Sequence, residues 1–449
     1  MPEELFGYQG LAKELLLKAN ASVGDRIRII RGDRIFEGTL MPREILYGEK
    51  PFIVIKLDNG YNIGVKVDQN TIIEKIETKK RIVSYSSKPP IQRKELPNVI
   101  MLSTGGTIVS KVDYETGAVH PALSTDELLE WIPEITDIIY LEAKEVARIF
   151  SEDMRPSIWA KIAEEAYRAM IKGYDGIVVA HGTDTMGYTA AALAFAIENK
   201  PVPIVLVGSQ RSSDRPSTDS AFNLKASFLI AAKAPFAESV IVMHGETGDV
   251  YAYVHRGVKV RKMHTSRRDA FQSINDKPIA MVYPDKREIK IIGRIIEWRD
   301  KDKEPVLRNH FDEKVALVKA YPGIDPEIIE FFIDKKYHGI VIEGTGLGHI
   351  ANRVIPTIKR AVEEGIAVVM TSQCLFGRIN MHVYSTGRRL LEAGVIPGND
   401  ILPETAYVKL SWILGMTRDL EEVRRIFLTN IVGEINPRHT IDLYPRWVL

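Results

Sequence analysis

Asn98-Val99-Ile100-Met101-Leu102-Ser103-Thr104-Gly105-Gly106-Thr107-Ile108 begins as an apolar run and ends in hydroxyls and a glycine pair. It reads as a buried strand that stops in a tight turn and then passes into a helix. The pattern recurs at Gly176-Ile177-Val178-Val179-Ala180, followed by His181-Gly182-Thr183-Asp184-Thr185-Met186. In an open α/β sheet, such strand-end turns are where ligands bind. Hydroxyls and a carboxylate converging on one crevice point to amide or ester chemistry with a threonine nucleophile.

The rhythm of strand, turn and helix continues outward from these two stretches. Ile204–Val207 and Val240–Met243 read as further strands. Thr125–Trp131, Ser157–Lys172, Thr189–Asn199 and Asp219–Ala232 read as helices. The alternation predicts a mostly parallel sheet with helices on both faces. A charged run from Asp300 to Pro305 interrupts it, and a second αβ unit follows with strands at Val315–Ala320, Gly339–Glu343 and Ala367–Thr371.

The N-terminal region has another character. A short helical pattern places Leu11, Leu15 and Leu16 on one stripe, and from Ser22 to Glu77 five short strands alternate with tight turns. This predicts a small all-β barrel over residues 1–85. The polar, proline-containing stretch 86–97 reads as a linker.

With 449 residues, the chain exceeds one ordinary core. An apolar fraction of 45% and a charged fraction of 27% are those of a globular protein. The net charge of +1 does not announce a nucleic-acid binder. No apolar run reaches the length of a membrane span, and the N-terminus lacks the regions of a signal peptide. Cys374 is the single cysteine and the histidines are scattered, so neither a disulfide nor a metal site is expected. Cytoplasmic localisation and no metal follow as expectations.

Each motif has a plain structural reading beside the chemical one. Thr-Gly-Gly-Thr alone is more readily a turn with a capping hydroxyl, and Thr183, Asp184 and Thr185 are all good helix caps. His181, at the end of a buried strand, reads as a hydrogen-bonded structural residue. Arg261-Lys262-Met263-His264-Thr265 adds a lysine, which acts as a base only where its surroundings lower its pKa. Spacing alone does not select Lys262 from its basic neighbours. Gly344-Thr345-Gly346-Leu347-Gly348-His349 lacks full dinucleotide-binding spacing and reads as a strand-end turn. The basic stretch Arg211 to Arg215 reads as a solvated loop.

Taken together and in order, Thr-Gly-Gly-Thr-Ile, His-Gly-Thr-Asp-Thr-Met and Lys-Met-His-Thr-Ser-Arg-Arg-Asp-Ala-Phe resemble the bacterial-type L-asparaginase/glutaminase family. The resemblance implies Thr107 as nucleophile, Thr183 as second catalytic threonine, Asp184 as its partner and Lys262 as the base-like member. It places Ser151, Gly106 and Gly182 in substrate binding and Tyr114 in a mobile lid. Glu152 stands where many members that act on free amino acids carry Gln. Its carboxylate either attracts the substrate ammonium or shifts substrate preference.

The N-terminal barrel, Gly377-Arg378-Ile379-Asn380-Met381 and the stretch from Leu402 to Leu410 extend the resemblance to the D-subunit family of archaeal glutamyl-tRNA(Gln) amidotransferases. That implies an asparaginase-like two-domain α/β parallel-sheet fold, residues 98–300 and 301–449, preceded by the barrel. It also implies an amidase subunit, without a cofactor of its own, that releases ammonia from glutamine or asparagine for a partner E subunit. The E subunit of that family binds Glu-tRNA(Gln) and uses ATP and Mg²⁺. A homodimer of this chain within the larger complex is expected. The rival readings are a free-standing asparaginase with an appended barrel and a tRNA-binding scaffold with a vestigial site. Protein docking is the favoured role for the barrel, which has no evident aromatic stacking set.

Overall fold

The computed structural model describes residues 5, 7–43, 51–57, 62–76, 91–105, 111–112, 119–120, 124–211 and 218–444. Thr107, Gly106 and Tyr114 therefore lie outside the described residues, as does most of the basic loop after Arg211. The chain divides into two compact units.

The first is built on the N-terminal strands Arg26–Arg31, Arg34–Leu40, Phe52–Lys56, Asn62–Lys66 and Ile72–Lys75. All neighbours are antiparallel, and the order runs from Asn62–Lys66 through Phe52–Lys56, Arg34–Leu40 and Arg26–Arg31 to Ile72–Lys75. Alternation turns Ile27, Ile29, Ile53 and Ile55 inward, and Leu16 from helix Gly10–Lys18 closes over them. The expected helix stripe shifts slightly: Ala12 and Leu16 are buried, while Leu15 packs at the margin. Tyr8 is buried, donates its hydroxyl to Met41 O at 2.7 Å and accepts Val54 N–H at 3.0 Å.

The second unit holds an eight-stranded sheet and a four-stranded sheet. Strands Tyr140–Glu145, Asn98–Ser103, Gly176–Ala180, Ile204–Val207 and Ser239–His244 lie side by side in that order, all parallel. The inner strands are buried on both faces, which explains their unbroken apolar sequences. Ala252–Arg256, Ala280–Tyr283 and Glu288–Ile291 then extend the sheet antiparallel. From Asn98–Ser103 the chain first builds outward to Tyr140–Glu145, then returns to the other side at Gly176–Ala180. The strand order thus reverses between Asn98–Ser103 and Gly176–Ala180, and the two motifs follow these strands in the chain. This is the topological switch point of the sheet.

One reading of the sequence changes here. The helix expected at Thr189–Asn199 runs from Met186 to Ala196, and Ile197–Glu198 pairs with Val306–Leu307 instead. Within the stretch read as linker, Gln92 is fastened to the outer strand: its amide accepts Leu141 N–H at 2.6 Å and donates to Leu141 O at 3.2 Å. A side-chain amide there occupies backbone groups of an edge strand.

Strands Val315–Lys319, Gly339–Gly344, Ala367–Ser372 and Ile396–Pro397 form the smaller parallel sheet. Gly344–His349 is a strand-end turn in which Thr345 bridges His349. Helix Met186–Ala196 packs against helix Pro403–Leu414, and Phe195 stacks on Trp412 with centroids 5.6 Å apart. Two buried ion pairs tie segments of this unit together. Lys259 meets Asp400 at 2.6 Å, and Lys409 meets Glu434 at 2.5 Å, all four side chains fully buried.

Candidate active site

The parallel register aligns Ser103 with Ala180, so the two motif turns leave the sheet edge side by side. Thr104 extends the pairing by one residue. Both its N–H, at 3.1 Å, and its hydroxyl, at 3.0 Å, donate to Ala180 O. Gly105 follows with φ +98°, and a β-carbon there would lie 2.6 Å from Ile149 O. Glycine satisfies both the left-handed backbone and the close approach.

Two neighbours crowd the second motif. A β-carbon on Gly182 would stand 2.7 Å from Ser151 Cβ and 2.8 Å from Ser151 Oγ. Ser151 begins the short turn Ser151–Asp153 and is buried, whereas Glu152 and Asp153 are exposed. Gly208, at the end of the next strand, approaches Thr183 equally closely.

Lys262 closes the site from a distant part of the chain. It ends strand Val260–Lys262, which forms a hairpin with Phe271–Ser273. Its Nζ donates to Thr183 Oγ1 at 2.9 Å and to Asp184 Oδ1 at 2.7 Å. Thr183 is only 8% exposed, while the Asp184 side chain is 67% exposed. The amine thus joins a buried hydroxyl to a carboxylate that faces the open side. Such a set can pass a proton between hydroxyl and amine and attract an ammonium-bearing ligand.

His181 takes no part in this cluster. Its Nδ1 lies 2.7 Å from Gly182 O and its Nε2 2.8 Å from Thr189 Oγ1. The carbonyl requires a proton on Nδ1. Trp159 Nε1–H donates to Thr189 Oγ1 at 3.1 Å, so the hydroxyl bridges the indole and the imidazole. Full burial pulls the imidazole pKa down to about 4, which keeps the ring neutral near pH 7. This matches the structural role read from the sequence.

The structure thus brings together five of the nine expected site residues, Thr183, Asp184, Lys262, Ser151 and Gly182. Glu152 stands beside Ser151 on its turn. The sequence reading missed the parts played by Gly208 and Thr104. Val207-Gly208 carried the usual signal of a strand-end turn, but only tertiary packing sets it against Thr183. Among the described residues, no group of three or more His, Cys, Asp or Glu is placed to hold a metal ion. No described helix is long and apolar enough to cross a membrane.

Fold and site together define an asparaginase-type amidohydrolase. Residues 98–296 match the asparaginase N-terminal family model and residues 314–427 the glutaminase/asparaginase C-terminal domain. Residues 21–76 match the GatD N-terminal domain. The thermostable L-asparaginase from Thermococcus kodakarensis is a similar solved structure, with TM-score 0.69 and 35% identity, covering 76% of this chain and 100% of its own. The D subunit of the glutamyl-tRNA(Gln) amidotransferase of Pyrococcus horikoshii is 54% identical over 97% of this chain and 99% of its own length. Its counterpart from Sulfurisphaera tokodaii is 51% identical over 99% and 98%. The chain belongs to the family of glutamyl-tRNA(Gln) amidotransferase D subunits. It is an amidohydrolase component of that enzyme, and membership implies a partner subunit.

Proposed function

We propose that this chain releases ammonia from glutamine or asparagine and that a partner E subunit uses it to convert Glu-tRNA(Gln) to Gln-tRNA(Gln). The observation that carries the reading is the Lys262 amine, bonded to both Thr183 and Asp184 at the sheet's switch point. Near-complete coverage by relatives of the D-subunit family, N-terminal domain included, supports the tRNA-dependent role.

Thr107 Oγ attacks the side-chain amide carbon. The amide nitrogen gains a proton and leaves as ammonia, giving an acyl-threonine ester. Water then cleaves the ester and restores the hydroxyl. Thr183, Asp184 and Lys262 carry the protons, and backbone N–H groups at the motif turns stabilise the oxyanion. Family resemblance assigns Gly106 to substrate binding and Tyr114 to a lid. Ser151 and Gly182 seat the substrate, with Glu152 beside them.

ATP and Mg²⁺ are assigned to the partner, which also holds most of the tRNA. This chain pairs with a second copy inside a cytoplasmic complex. The N-terminal domain docks protein. In support, Ile35 and Ile72 both face Ile30 across the sheet and are 61% and 56% exposed.

A free-standing asparaginase is the second reading, favoured by the likeness to the Thermococcus kodakarensis enzyme. Ammonia release with and without the co-purifying partner and charged tRNA separates the two. Stimulation by both supports the ammonia-donor role, and full activity of the isolated chain with no stimulation overturns it. Thr107→Ala tests the nucleophile: turnover is abolished while folding is intact, and near-normal turnover refutes the assignment.

A further inference from the structure

Thr185 occupies the N-cap position of helix Met186–Ala196, yet its side chain makes no capping bond. A threonine there ordinarily accepts a hydrogen bond from the first turn of the helix and stabilises it. Here the hydroxyl reaches across to another segment, donating to Ser151 O at 2.6 Å. That carbonyl already accepts Met154 N–H at 3.2 Å, the bond that closes the Ser151–Met154 turn. The turn is thus held from inside by Met154 and from outside by Thr185. Gly182, three residues before Thr185, leaves the space that the Ser151 side chain fills.

We propose that Thr185 is a positioning residue for the amide donor: its hydroxyl fixes the Ser151 turn against Gly182 and so sets the grip of Ser151 on substrate. Thr185 itself makes no bond to Thr183, Asp184 or Lys262 among the described hydrogen bonds, so its effect falls on binding rather than turnover. The inference rests on the proposed reading of Ser151 as a substrate contact.

The test is steady-state ammonia release by the full chain in its complex, for Thr185→Val, Thr185→Ser and Ser151→Ala, with melting temperatures recorded alongside. Thr185→Val keeps the shape and removes the donor. It is expected to raise KM about tenfold or more while kcat stays within about threefold, and Thr185→Ser is expected to restore KM. If Ser151→Ala raises KM and Thr185→Val leaves it unchanged, the positioning role is overturned while the Ser151 reading stands. A fall in kcat and melting temperature with KM unchanged would also overturn it, as a purely structural role. If Ser151→Ala leaves KM unchanged, the reading of Ser151 fails and the inference with it.

Discussion

A β-carbon added to Gly208 would lie 2.7 Å from Thr183 Cγ2 and 2.8 Å from His181 O. Thr183 thus has its methyl group pressed against bare backbone. Asn223 holds that backbone, donating from Nδ2 to Gly208 O at 3.0 Å. A rotation of Thr183 that frees its hydroxyl from Lys262 is opposed by this wall.

Gly208→Ala is therefore expected to displace Thr183 or the strand end. Overpacking of this kind costs about 1–3 kcal/mol, and the displaced hydroxyl should lower amidase kcat about tenfold or more. Denaturant midpoints and kcat measured on the same preparations check it. Unchanged kcat would mean that the Gly208 wall does not position Thr183.

Buried histidines predict the acid side of the stability curve. Burial holds His181 down to about 4 and His255 down to about 3. Both stay neutral in the folded chain, whereas the unfolded chain protonates them below about 6.5. The unfolded state then binds more protons, so stability is present above about 6.5 and is lost as pH falls towards the folded values. Each histidine contributes a slope of about 1.4 kcal/mol per pH unit in that window. Unfolding midpoints between pH 7 and pH 5 measure it, and His255→Gln should remove about one proton's share of the slope.

Lys409 is enclosed by acceptors: Glu434 Oε1 at 2.5 Å, Phe427 O at 2.8 Å and Thr429 O at 2.7 Å. Burial pulls its pKa below the ordinary lysine range, and the facing carboxylate opposes that pull. Lys409→Met would leave the buried Glu434 carboxylate without its cation, held by the Ile431 and Val432 N–H groups. Losing one partner of such a pair costs about 3–5 kcal/mol. Chemical denaturation should show the loss, and Lys409→Met combined with Glu434→Gln should recover part of it. A single variant as stable as the parent would contradict the description of this pair.

Legibility in the sequence followed the physics of each element. Strands buried on both faces are continuous apolar runs, so Asn98–Ser103 and Gly176–Ala180 could be read directly, along with the glycine turns that end them. Helix Met186–Ala196 is buried on almost every side between the large sheet and helix Pro403–Leu414. It has no polar face to supply a period, and its limits were read three residues late at both ends. The antiparallel strands Ala252–Arg256, Ala280–Tyr283 and Glu288–Ile291 went unread. Lys262 stands among many charged residues, and only the hairpin that carries it to Thr183 distinguishes it. Family resemblance supplied that choice. Thr185 was read as a cap because its position fits one, and its actual partner lies in a segment that no local pattern could indicate.

On the proposed mechanism, Lys262, Thr183 and Asp184 act as one proton-handling unit in amide hydrolysis. Its most direct measurement is ammonia release by Lys262→Met and Thr183→Val beside the parent chain, with thermal unfolding as the control for folding. A fall of about a thousandfold or more is expected for each variant, with little change in the melting transition. Turnover within about threefold of the parent in either folded variant would contradict it.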